Sequence, residues 1–173
     1  MPAPYSDLDY KLNRAIAAYL ISVGGLCGTA ADIFPDESAN PNKYPNTEIQ
    51  TVSGQPYPKF SGDYRCRVQI IISESAVKGT PLTFSKRVGA TVDALLQTDT
   101  TDGQTYRATE ALINSAGRAL AVSDPANNAD MVDFTVQDWT EAGFGRGQIQ
   151  DGEGCSWRKV WMFDCTVCGS NVD

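Results

Sequence analysis

Tyr64-Arg65-Cys66-Arg67-Val68-Gln69-Ile70-Ile71-Ile72 is the stretch that decides the fold. Tyr64, Cys66, Val68, Ile70 and Ile72 take alternate positions, with Arg65, Arg67 and Gln69 between them. Side chains of a strand point to opposite faces in turn. This period of two therefore predicts a strand with one face on a core and the other polar until Ile71. The last apolar stretch reads the same way. Trp157, Trp161, Phe163, Cys165 and Val167 share one face of a closing strand over 157–167. Val132, Phe134 and Val136 alternate in a third strand that runs towards Trp139.

Helical patterns flank these strands. Leu8, Leu12, Ala15, Ile16, Tyr19, Leu20 and Val23 recur at helical spacing behind a Ser6-Asp7-Leu8-Asp9 cap, and Gly24-Gly25 ends the run. After a break at Gly79-Thr80-Pro81, Val88, Val92, Leu95 and Leu96 predict a helix over 85–97. A polar turn over 98–103 leads to another helix over 104–121, with Tyr106, Thr109, Ile113, Ala116 and Leu120 on one side and Leu112 beside them. Asp124-Pro125 closes it, because the residue before proline disfavours the helical region. The expectation is one α+β domain over 1–173: a mostly antiparallel sheet of about four to five strands against two to three helices.

Two extensions interrupt this layout. Residues 27–63 hold Pro35, Pro41, Pro45, Pro56 and Pro58, which exclude regular helix, with a short strand expected over 48–53. This long Pro-rich loop carries Phe34, Tyr44, Tyr57 and Phe60, and either packs on its own domain or reaches a neighbour. The second extension is the glycine-rich arm 143–154, a flexible connection carrying Phe144 and Arg146.

Composition narrows the chemistry. Of 173 residues, 42% are hydrophobic and 20% charged, which fits a folded domain with its own core. The net charge of −7 disfavours nucleic acid or anionic lipid as a bulk partner. The first residues lack the basic and apolar regions of a secretion signal, so residence in the cytosol, or in a particle assembled there, is expected. Cys27, Cys66, Cys155, Cys165 and Cys168 are then expected as free thiols. With no histidine, imidazole acid–base chemistry, Ser-His-Asp triads and His-bound zinc are excluded within this chain.

The remaining motifs are weak. Cys165-Thr166-Val167-Cys168 is half a zinc site, and its members point to opposite faces if the segment is a strand. The two further ligands would have to come from Cys155, Cys66 and Cys27. Gly143-Phe144-Gly145-Arg146-Gly147 lacks the following helix of a phosphate cradle and reads as a hairpin arm. The acid pairs Asp36/Glu37, Asp130/Asp133 and Asp151/Glu153 match no calcium loop and read as solvated charge. Arg65 and Arg67 form either an ordinary polar face or a stripe that meets an acidic neighbour. No catalytic, metal or cofactor residue is assigned; a small carboxylate-based hydrolase or binding module stays as an alternative.

The order of N-terminal helix, Pro-rich loop, Tyr64–Ile70 strand, central helices and the ending Trp157-Arg158-Lys159-Val160-Trp161-Met162-Phe163 resembles the tail terminator (tail completion) proteins of tailed bacteriophages. The additional helix expected over 104–121 departs from that pattern. The resemblance implies a virion subunit that forms a ring, usually a hexamer, capping the tail tube and joining it to the head–neck connector. Its partners would be tail tube and connector proteins, with DNA only passing through, no membrane and no cofactor. Another neck or head-completion protein is the close variant. On this reading Phe34, Tyr44, Tyr57, Phe60, Arg65, Arg67, Phe144 and Arg146 are the candidate subunit contacts.

Overall fold

The computed structural model describes residues 8–36, 44–57, 63–77, 79–151 and 154–169. The proposed cap residues Ser6 and Asp7 lie outside them, as do Phe60, Glu37 and Glu153. The first helix, α1 (Leu8–Val23), buries Leu12, Ile16 and Leu20 and ends at Gly24 and Gly25, both at positive φ. Gly24 N–H donates to the Leu20 carbonyl at 3.1 Å, which satisfies one of the orphan acceptors of the last turn.

Residues 27–63 hold more regular structure than expected. β1 (Ile33–Pro35) runs parallel to β2 (Asn46–Tyr57), which runs antiparallel to β3 (Asp63–Ser75). The short strand expected over 48–53 is thus twelve residues long. Pro56 is tolerated because β1 covers β2 only at Thr47–Ile49, leaving the rest an edge where a missing N–H breaks no ladder.

The helix α2 (Pro81–Leu95) begins four residues before the expected 85. Gly79-Thr80-Pro81 is its cap, not a break. Thr80 Oγ1 accepts from Thr83 N–H, Thr83 Oγ1 accepts from Thr80 N–H, and Pro81 takes the first helical position. The expected turn and the start of the expected third helix are in fact a hairpin, β4 (Thr98–Thr101) and β5 (Gln104–Arg107), closed by Asp102 and Gly103 at positive φ.

Helix α3 (Thr109–Ser123) follows. Its buried face is Thr109, Ile113, Asn114, Gly117 and Ala121, so the stripe is rotated from the one expected and Leu112 is 40% exposed. The reason is close packing on α1. A Cβ on Gly117 would lie 3.6 Å from Ala15 Cβ and 3.4 Å from Met131 Cε, so small residues set the contact. A short helix, α4 (Pro125–Asn128), leads to the long hairpin of β6 (Phe134–Asp151) and β7 (Gly154–Gly169).

Among the described residues the main sheet has the order β1-β2-β3-β7-β6, antiparallel except for β1 with β2. This is an α+β fold. One buried cluster joins Leu12, Ile16 and Leu20 to Ile49, Val68, Ile70, Ile72 and Phe163 on the inner sheet face. Trp139 stacks on Phe163 with ring centroids 4.8 Å apart. Its indole N–H donates to the Leu95 carbonyl at 2.9 Å, Thr109 Oγ1 donates to the same carbonyl at 3.0 Å, and Tyr19 O–H donates to Ala94 O at 2.7 Å. The unpaired carbonyls at the end of α2 thus pin three other elements.

Candidate functional site: an aromatic platform and a helical groove

The glycine-rich stretch read as a flexible connection is ladder. Gly143, Gly145 and Gly147 pair with Met162, Val160 and Arg158 in the β6/β7 hairpin. The hairpin expectation therefore stands, and the flexible one is corrected. Helix α3 guards only the start of β6. Asn114 Oδ1 accepts from Val136 N–H at 2.7 Å and its Nδ2 donates to Val136 O at 3.0 Å, while Glu110 Oε1 accepts from Trp139 N–H at 3.2 Å.

Beyond Trp139 the inner face of the hairpin emerges from the core. Phe144 pairs with Trp161 across the ladder, their rings stack at 4.9 Å, and Phe144 is 60% exposed. The Lys159 ammonium lies 4.0 Å from the Phe144 centroid and 5.3 Å from that of Trp161. An ammonium over an aromatic face is attracted by the ring quadrupole, which holds the group together. Trp161 Nε1 donates to Glu141 Oε1 at 3.0 Å and fixes the ring's orientation. Lys159 and Glu141 were missed at the sequence level. The available signal was Lys159 between Trp157 and Trp161 on one strand face, since a charge there marks where the face leaves the core.

A shallow groove of about 400 Å³ lies between α1, α2 and α3. Tyr19, Val23, Ala94 and Leu112 form its apolar walls, and Asp93 and Gln97 stand on it. A second cleft of about 350 Å³ lies between the start of α1 and β2–β3, and Cys66 lines it. Burial, with Asp9 nearby, pushes the Cys66 thiol up to about 11, so it is no nucleophile at neutral pH.

The remaining candidates scatter. Phe34 is half-buried in β1 opposite Glu48, and Tyr44 is half-buried too. Tyr57 and Arg146 are placed by backbone register only, opposite Asp63 and Lys159. Arg65 and Arg67 share the outer sheet face as expected. Arg67, however, pairs within its own chain: Nε and Nη2 donate to the two Asp164 oxygens at 2.8 and 2.9 Å. This fork holds the Asp164 carboxyl below the usual carboxylate range, the opposite of what a general acid needs. Asp36 accepts from Asn13, and Asp130 pairs with Lys11 at 2.9 Å.

Among the described residues no group of thiols and carboxylates assembles a metal site. Cys165 faces the core opposite Cys66, and Cys168 points to the other sheet face opposite Asp63. Cys155 stands ten residues along β7 from Cys165, roughly 33 Å at strand rise, too far to share an ion. Cys27, Cys66, Cys165 and Cys168 are free. Among the described residues no helix is long and apolar enough to cross a membrane. No protein-family model matches the chain, and no curated protein matches it.

Proposed function

We propose that this chain is a structural assembly subunit, and that it serves as a tail terminator: a ring that caps a phage tail tube and meets the head–neck connector. The observation that carries the assembly part is the β6/β7 hairpin, which holds Phe144 stacked, oriented and 60% exposed. An exposed aromatic held rigid loses little further freedom when a partner covers it. The virion assignment rests on the resemblance of element order and of the closing strand. The acidic net charge suits a lumen that must let phosphates pass.

The native mass by light scattering tests the assembly reading, with a closed species of several copies expected. Adding the purified chain to growing tail tubes tests the virion assignment. Tube growth should stop with the chain seated at the tip. A chain that is monomeric at every concentration, or tubes that elongate unaffected, would remove the respective part.

A further inference from the structure

We propose that the Phe144 platform of one copy docks into the α1–α2–α3 groove of a second copy, forming the repeating contact of the assembly. This deepens the assembly reading above and rests on it. Three observations select a second copy as the occupant.

The first is shape. Phe144 protrudes from a hairpin rung, and the groove is an apolar recess of about 400 Å³, ample for one aromatic ring. The second is charge. Lys159 caps the Phe144 ring, and the exposed carboxylate of Asp93 stands on the groove. Seating the ring between Val23 and Leu112 brings a cation to an anion, and the pairing gives register and orientation.

The third is placement. Trp139 of β6 reaches the end of α2 through the Leu95 carbonyl, and the groove walls come from α1, α2 and α3 with no β6 residue among them. Phe144 lies five residues further along that strand, held in the ladder by Trp161, and lines no part of its own groove. The chain therefore carries a knob and a hole on different surfaces. A contact between unlike patches repeats from copy to copy and closes into a ring when its rotation permits.

The test uses two exposed substitutions that spoil opposite halves. Phe144→Ala removes the knob and Leu112→Arg blocks the hole. Unchanged thermal unfolding confirms that each variant folds. By sedimentation velocity each alone should assemble about tenfold or more weakly, as expected on losing an aromatic anchor. Mixed in equal amounts, they should form a two-chain species and stop, because only one intact knob and one intact hole remain. Lys159→Glu or Asp93→Lys should each weaken assembly, and the two together in one chain should restore it. If the wild-type chain assembles and the variants do too, or if the mixture fails to pair, this contact is wrong and the assembly reading survives. A monomeric wild-type chain removes both.

Discussion

The indole N–H of Trp139 donates to the carbonyl of Leu95 across 2.9 Å, joining the start of the long hairpin to the last turn of α2. The same ring stacks on Phe163, so one side chain links helix end, edge strand and sheet centre. Trp139→Phe keeps much of the stack and loses the bond, and should cost about 1 kcal/mol in denaturant unfolding. Trp139→Ala also leaves a cavity and should cost about 3–5 kcal/mol. Similar losses for the two would show that the hydrogen bond, not the packing, dominates.

Asn114 serves the Val136 backbone with both donor and acceptor in a buried site. Asn114→Leu is close in size and leaves both Val136 groups unpaired. A destabilisation of about 2–6 kcal/mol is expected, from two orphaned groups at about 1–3 kcal/mol each. Hydrogen exchange at Val136 should accelerate more than at Val68 in the sheet centre. Uniform acceleration would mean global loss of stability and no local role.

The Arg67–Asp164 fork predicts a local titration. Arg67→Ala should let the Asp164 pKa, now held down, climb towards its ordinary value of 3.8, read by carboxyl NMR shifts. A depressed folded-state pKa adds stability above the unfolded value, lost as pH falls through the lower folded one. The wild type should therefore lose this contribution only below pH 3.8. The pair is exposed, so the effect on melting should be small.

Thiol burial predicts the alkaline limb. Cys66 and Cys168 are pushed up to about 11 from an ordinary 9.0, each mainly by burial, with Asp63 adding at Cys168. The folded state keeps these protons where the unfolded chain sheds them. Their contribution is thus complete below pH 9 and declines between pH 9 and 11. Tyr19, raised by burial, acts in the same sense. Replacing Cys66 and Cys168 by Ala should flatten the decline in denaturant midpoint over that window. At pH 8 their alkylation should run roughly a hundredfold slower than for ordinary thiols.

The fold class was legible because β3 and β7 state their faces by strict alternation, and α1 by its stripe and glycine stop. The errors have local causes. Thr101-Asp102-Gly103-Gln104 carries the Asp-Gly signal of a two-residue hairpin, but the apolar spacing from Tyr106 suggested a helix beginning at 104, with 98–103 left as a plain turn. The face of α3 was misread because large residues were weighted over Gly117, whose position faces Ala15 and Met131. Phe144 drew attention in the sequence from its place in a glycine-rich run. Its stacking on Trp161 was not legible, because that depends on a register shift between Glu141 and Gly143. The groove draws on three helices distant in sequence, and no single segment announces it.

The stack of Phe144 on Trp161 also gives the chain an intrinsic optical reporter. Trp139 is sealed in the core, whereas Trp157 and Trp161 are half-buried. Covering Phe144 changes the polarity around one indole and leaves the sealed one unaltered. With Trp157→Phe in place, emission should resolve into an invariant blue component and one that shifts when the hairpin is covered, so docking can be followed without a label.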